Sequence, residues 1–331
     1  MSTTANLDVV ARPPLAASLV RLARPAQWSK SVFVLVGPAY GLAAALAEGR
    51  SPGPIIVAAL LAAAAFGAAA SGCYVINDLA DREADRVHPR KRTRPIAAGH
   101  ISPGQARLFA AALFGLAAVI VLAIPPTGAG SVLPLDARVL VGSVLALYVA
   151  NVTAYSASFK HYRIADVMSL SFGFVLRVLA GCAAVAITPS TWLLNVTLFF
   201  SMFLAFGKRL GERRTLADDA GTHRRVQHRY TNELLRMAVV VTAVATLLTY
   251  AFYVQEQEVL YTIGFNLMWL TVLPVTFALL RVIVVLENGA YDDPTELAVH
   301  DRPFQVACVV FGLMTGGLLA WRIAGGIGEA A

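Results

Sequence analysis

Hydrophobic residues in this chain come in long blocks rather than alternating with polar ones at strand spacing. A helix needs about 20 mostly apolar residues to cross a bilayer. Nine blocks qualify, at roughly 28–47, 54–76, 105–124, 138–156, 166–187, 191–207, 234–254, 262–286 and 304–323. The pattern predicts an all-α polytopic membrane protein, a bundle of nine transmembrane helices. Local signals fix some of the ends. Ser102-Pro103-Gly104-Gln105 reads as an N-cap, a first-turn proline and a capping-box glutamine. Pro89 closes the helix that leaves span 2, Pro274 is expected to kink span 8, and Asp301 to cap span 9. Residues 1–24 are polar without a strong period, so a flexible segment or a short surface helix is expected there. Residues 25–331 read as one nine-helix domain without repeats or a soluble module.

Composition agrees. Of the 331 residues 14% are charged, against about 25% in soluble proteins, and the mean hydropathy is +0.65. The net charge of +7 is unevenly placed. The N-terminal segment and the connections after spans 2, 4, 6 and 8 hold nearly every Lys and Arg, leaving Arg50, Arg138 and Arg322 on the other side. The positive-inside rule then puts the N-terminus and the basic connections in the cytoplasm and the C-terminus outside, as in a bacterial plasma membrane. No basic domain stands apart from the apolar blocks, which argues against nucleic acid as a partner; a homo-oligomer is compatible with the sequence. Cys73, Cys182 and Cys308 sit far apart in apolar stretches and read as buried small residues. The first 20 residues, with Arg12-Pro13-Pro14, do not resemble a cleavable signal peptide.

The densest polar stretch runs from Gly72 to Ser102. Asp78, Asp81 and Asp85 lie at i, i+3 and i+7, and Asn77, Asp81 and Asp85 at i, i+4 and i+8. On a continuous helix they share one face. Stacked carboxylates repel unless a cation sits among them, and hard oxygen ligands without Cys or paired His point to Mg²⁺. Arg90, Lys91, Arg92 and Arg94 follow at once. Acid then base suits a metal-bound diphosphate, the carboxylates holding metal and the cations holding phosphate oxygens. Taken alone, such a stretch also fits a solvated loop, but here it leaves directly from an apolar helix. Lys30 lies at the mouth of span 1, where it suits phosphate or simply snorkels to headgroups. Arg177 lies about three turns into span 5, sharing a face with Gly173 and Asp166. It should face a polar cavity or pair with a carboxylate, since a charge there costs about 2.5–3.5 kcal/mol on insertion scales. The connection after span 6 is basic, with Lys208, Arg209, Arg224 and Arg225, and its His223 and His228 read as surface residues.

Asn77-Asp78-x-x-Asp81-x-x-x-Asp85 between spans 2 and 3 resembles the first aspartate motif of the UbiA-type intramembrane prenyltransferases, nine-helix enzymes that bind a diphosphate through Mg²⁺. The resemblance covers the chain from about Arg24 onward. Members that prenylate aromatic rings carry a second aspartate-rich motif after span 6; this chain has Gly207-Lys208-Arg209-x-x-Glu212 there. The run from Asp85 to Gly99, Tyr155-Ser156 with Lys160 and Asp166, Gly173 to Arg177, and Asp301-Arg302-Pro303 resemble instead the decaprenyl-phosphate phosphoribosyltransferase branch. The resemblance implies transfer of a 5-phosphoribosyl group from phosphoribosyl pyrophosphate (PRPP) to a polyprenyl (decaprenyl) phosphate, giving a precursor of cell-wall arabinan. The alternative is a prenyltransferase with an aromatic acceptor. Under the first reading, Asn77, Asp78, Asp81 and Asp85 hold the Mg²⁺-diphosphate in a cytoplasm-facing cavity. Lys30, Lys91, Arg94, Lys160, Lys208 and Arg209 hold phosphates. Asp166 binds ribose or a second metal, and Tyr155 and Arg177 line the cavity. A transporter would need polar residues on both sides of the membrane midplane; here they crowd one end.

Overall fold

The computed structural model describes residues 13–89, 91–127, 136–218, 230–288 and 300–324. Arg90 and the stretch with His223, Arg224, Arg225 and His228 lie outside them. Among the described residues, nine helical stretches are long and apolar enough to cross a membrane, as the hydropathy pattern requires. The first joins α1 (Leu15–Ala23), a 3₁₀ turn (Pro25–Ser31) and α2 (Val32–Ala47). There follow α3 (Pro52–Ala80), the short α4 (Arg82–Val87), α5 (Pro103–Leu122), α6 (Ala137–Ala157), α7 (Ala165–Ala184), α8 (Thr191–Asp218) and α9 (Asn232–Glu256). The short α10 (Glu258–Tyr261), a 3₁₀ turn (Leu267–Thr271), α11 (Val272–Asn288) and α12 (Arg302–Ile323) complete the bundle. The protein is an integral membrane protein of helical architecture.

The centre of the bundle is set by side-chain size. In the most apolar windows of α3 and α7, 67% of residues are buried, against 6% in α12, which therefore lies at the rim. Ala-rich α3 packs on α5, α6 and α7, with Phe66, Leu145, Tyr148 and Leu176 filling the space between. In lipid, helix association depends on close packing, which small residues permit. The tightest approach is between α2 and α7. Pro38 lacks an N–H, so the Val34 carbonyl loses its usual helical donor. A Cβ on Gly181 would sit 1.7 Å from that carbonyl oxygen, so only glycine fits. A second core joins α8, α9 and α11 around Phe203, Phe206, Leu235 and Leu279.

Several end signals act as expected. Ser102 and Gln105 form the reciprocal capping box. Others differ. Pro274 falls in the first turn of α11, where its missing N–H is harmless, and the interior proline is Pro38. Hydropathy ends span 6 near residue 207, yet α8 continues to Asp218, because a helix leaving the bilayer no longer needs an apolar sequence. Cys73 and Cys182 are buried but Cys308 is exposed, because it lies on the rim helix. At the opposite end from the aspartates, Arg50 donates to the carbonyls of Thr127 and Val185, and Arg138 to that of Ile124. Two of the cations left on that side thus tie the ends of neighbouring helices together.

Asp301 caps α12 by accepting from the Phe304 N–H at 2.9 Å. Arg281 donates to both its oxygens, at 3.2 and 2.8 Å. The Arg281 hydrogen bonds, with the backbone N–H, hold the Asp301 carboxyl below the usual carboxylate range, against the opposing effect of burial. A lowered folded pKa stabilises the protein above the unfolded value of about 3.9, and that contribution disappears as pH falls through the folded value. Asp301→Asn keeps the capping oxygen and removes the charge. Its melting temperature in detergent is expected to lie below wild type at pH 7, with the gap closing below about pH 4.

Candidate active site

Connectivity brings the ends of α3, α6 and α8 and the starts of α2, α5, α7, α9 and α12 to one end of the bundle. The loop after α4 is anchored there by Ile96 and Ile101, which are buried with Leu22 of α1, Val75 of α3 and Ala106 of α5. That anchor holds Lys91 and Arg94 over the end of α3.

The aspartates do not form one continuous ladder. α3 ends at Ala80, Asp81 adopts φ −88°, ψ 2°, and α4 restarts at Arg82. Asp78 and Asp85, both buried, share Arg94, which donates to them at 3.0 and 2.7 Å. Lys91 approaches Asp85 at 3.8 Å. Asp81 turns to a different set: Lys160 at 3.3 Å and Asn77 at 3.3 Å, with Asn77 accepting from Ser156 at 2.8 Å. The physical reason is competition, each carboxylate going to the nearest cation. Among the described residues, no three Asp, Glu, His or Cys side chains converge closely enough to form a metal cage. This donor set nevertheless fits Mg²⁺, which is usually held by one or two carboxylates together with waters and substrate phosphates.

Arg24 is not among the sequence-predicted site residues. Arg24 donates to both oxygens of Asp78, at 2.6 and 2.8 Å, and lies over the Tyr74 ring at 5.0 Å. Its backbone is left-handed, φ 53° and ψ 60°, at the junction of α1 and the 3₁₀ turn. A non-glycine residue is strained there and is kept so by its surroundings. Ser71 donates to the Ala23 carbonyl at 2.7 Å, and the Trp28 indole N–H donates to Ser71 at 2.9 Å. The available signal was a cation directly before the proline at the mouth of span 1. Arg24→Ala leaves buried Asp78 with Arg94 alone. It is expected to destabilise the protein by roughly 1–3 kcal/mol, measurable by denaturation in detergent, with Arg24→Lys recovering part of the loss.

A polar cavity of about 210 Å³ opens beside the aspartates and descends between α3, α6 and α7. Lys30, Asn77, Arg94, Tyr155 and Arg177 of the predicted set line it, joined by Arg24. Arg177 meets no carboxylate among the described residues; it faces this cavity and a group of aromatic rings. Asp166 and Arg209 stand apart from the cavity walls. Arg209 donates to Asp166 at 3.2 Å and to Glu212 at 2.9 Å, and Tyr230 donates to the other Asp166 oxygen at 2.9 Å. Burial, with the Asp166 carboxylate opposite, pushes the Tyr230 hydroxyl up to about 12, although the Ile164 N–H donates to it. Tyr230, just before span 7, was also not foreseen. Lys208 is exposed while its neighbour Arg209 is buried, since adjacent helix positions point about 100° apart. A second cavity, about 330 Å³ and almost wholly apolar, lies between α2, α8, α9, α11 and α12. Phe33 lines the second and Phe174 the first, and their rings meet edge to face at 4.8 Å.

Residues 34–300 match the UbiA prenyltransferase family. The chain belongs to this family. Within it, the chain is 31% identical to decaprenyl-phosphate phosphoribosyltransferase of Mycobacterium tuberculosis, covering 95% of this chain and 99% of that one. It is 34% identical to the protein of that name from Mycolicibacterium smegmatis, covering 89% and 91%. In fold it is similar to a UbiA homolog from Archaeoglobus fulgidus whose structure was solved bound to GPP and Mg²⁺. That match has a TM-score of 0.61, at 18% identity, and covers 93% of this chain and 98% of that one.

Proposed function

We propose that this UbiA-family protein transfers the 5-phosphoribosyl group of PRPP to a polyprenyl phosphate and releases pyrophosphate. The observation that carries the reading is the sign of the charge around the polar cavity. Arg24, Lys30, Arg94 and Arg177 line it, and α8 presents buried Arg209 where the ring-prenylating members have acids. A donor with a diphosphate and a further phosphate needs such an excess of cations; a prenyl diphosphate has only one anionic end. The full-length similarity to phosphoribosyltransferases supports the same choice.

Asp78 and Asp85 on one side, and Asn77 and Asp81 on the other, would hold Mg²⁺ together with the donor diphosphate. Bound there, the metal neutralises charge on the departing pyrophosphate. Arg24, Lys91, Arg94 and Lys160, already hydrogen-bonded or ion-paired to these carboxylates, are placed to reach the diphosphate oxygens. Asp166 acts through Arg209, whose guanidinium it fixes, and Lys208 meets phosphate only at the outer mouth. A lipid phosphate oxygen forms the bond to the ribose anomeric carbon as the bond from that carbon to diphosphate oxygen breaks. The lipid phosphate is ionised at neutral pH, so no general base is needed, and fixed cations stabilise the charge that shifts to the leaving group. The polyprenyl tail lies in the apolar cavity beyond Phe33. The charge bias of the connections supports a site on the cytoplasmic side, with the N-terminus inside and the C-terminus outside.

Purified protein given labelled PRPP, polyprenyl phosphate and Mg²⁺ is expected to move label into the lipid, and a chelator should abolish the transfer. Prenylation of an aromatic acid from a prenyl diphosphate, with no label reaching the lipid, would overturn the reading.

A further inference from the structure

The polar cavity ends in a charge that the protein itself leaves uncompensated. Arg177 is 5% exposed and sits in the interior of α7. Its Nη1 donates to the Gly173 carbonyl at 2.9 Å and its Nη2 to the Tyr148 hydroxyl at 2.8 Å. Its Nε is buried without a hydrogen-bond partner. The rings of Tyr148, Phe174 and Phe66 surround the guanidinium at 4.7, 5.3 and 6.0 Å. Among the described residues no carboxylate reaches it. A buried cation lacking a counter-charge is costly, and a buried donor left unsatisfied adds to that cost. Aromatic faces return part of this cost, and they satisfy no N–H. The arrangement suits a ligand that brings negative charge and acceptor oxygens.

Depth says which ligand group. Along α3 the cavity lining runs from Asn77 at the mouth to Ala70, about two turns or roughly 10 Å, and Arg177 faces its inner end, beside the Phe66 ring. The carboxylates and the cations around them stand at the mouth; Arg177 stands at the floor. A donor bound by its diphosphate at the mouth therefore presents its far end to Arg177. We infer that Arg177 is the recognition site for a phosphate monoester at the far end of the donor, the 5-phosphate of PRPP, and so sets donor specificity. This rests on the phosphoribosyl-transfer reading and deepens it. A prenyl diphosphate would lay hydrocarbon against the same guanidinium, leaving its charge and its Nε unpaired, which discriminates against that donor. The polyprenyl phosphate is also a phosphate monoester. Its tail, however, belongs in the apolar cavity, and the Phe33–Phe174 pair stands between that cavity and Arg177.

The test crosses protein and ligand changes in the full-length protein in detergent. Dissociation constants are measured for Mg·PRPP, Mg·pyrophosphate and a short-chain prenyl monophosphate, with wild type and Arg177→Met. Wild type is expected to bind Mg·PRPP more tightly than Mg·pyrophosphate. Arg177→Met is expected to lose about 10- to 100-fold for Mg·PRPP and to stay within about twofold for the other two ligands. Retained pyrophosphate binding also shows that the variant is folded. If Arg177→Met does not fold, Arg177→Lys enters the same comparison, with a smaller loss confined to Mg·PRPP. Equal losses for PRPP and pyrophosphate, or a loss confined to the prenyl monophosphate, overturn the assignment. So does an unchanged PRPP preference in the variant, with the transfer reading left standing. A wild type that binds PRPP no better than pyrophosphate overturns the transfer reading and the assignment together.

Discussion

Asp85→Asn is expected to lower turnover by about 10³-fold while the protein stays folded. Two effects combine. The substitution removes one of the two buried carboxylates that converge on Arg94, and so, under the proposed mechanism, one ligand offered to a metal-bound diphosphate. It also releases Lys91, which approaches Asp85 at 3.8 Å, from the charge that places it. Loss of one preorganised electrostatic group in an active site typically costs 10²–10³ in rate; under the proposed mechanism a metal ligand goes as well, which puts this variant at the upper end. Asparagine still accepts a hydrogen bond from Arg94, so the melting temperature should change little. Single-turnover transfer of labelled donor, read beside thermal melting in detergent, separates the two. Glu83 is the control. It pairs with Arg82 and Arg86 at the surface, and such exposed pairs contribute little. Glu83→Gln should keep turnover within about twofold of wild type.

Asp166→Ala should act first on stability. Asp166 and Arg209 are both buried, and Tyr230 completes the group. Removing one partner of a buried pair strands the other and destabilises by roughly 3–5 kcal/mol. For a chain of this size that corresponds to a melting temperature lower by about 4–7 °C. Removing both charges often costs far less than removing one. The double variant Asp166→Ala, Arg209→Met should therefore regain most of the lost stability, since residues in contact are not additive. Activity should not return with it, because the fixed guanidinium is gone. A double variant as unstable as the single one would show that the pair is not the source of the effect.

Much of the architecture was legible in the sequence because the bilayer simplifies it. A helix that must cross hydrocarbon leaves a block of apolar residues, and the nine blocks correspond to nine helical stretches among the described residues that are long and apolar enough to cross. The acid–base stretch after span 2 was legible for the complementary reason, that so many charges next to an apolar helix need a ligand or each other. Spacing along one helix could not give the partners. It placed Asp78, Asp81 and Asp85 on a common face, but the choice of Lys160 for one and Arg94 for the other two depends on loops from elsewhere in the chain. Tyr230 meets Asp166 from 64 positions away, and nothing local to either announces it. Its place within span 5 says that Arg177 faces a cavity or a carboxylate; the aromatic rings around it come from α3, α6 and α7 together, which only packing reveals. Arg24 was visible as a cation, but its left-handed backbone, which follows from the way α1 lies against α3, was not.

The contact between Gly181 and the Val34 carbonyl lies one helical turn beyond both Arg177 on α7 and Lys30 on the chain leading into α2. Backbone contact at that point sets how closely α2 and α7 can approach. A methyl group added to Gly181 would force the two helices apart, and Lys30 and Arg177 with them, so a residue outside the cavity lining sets its calibre.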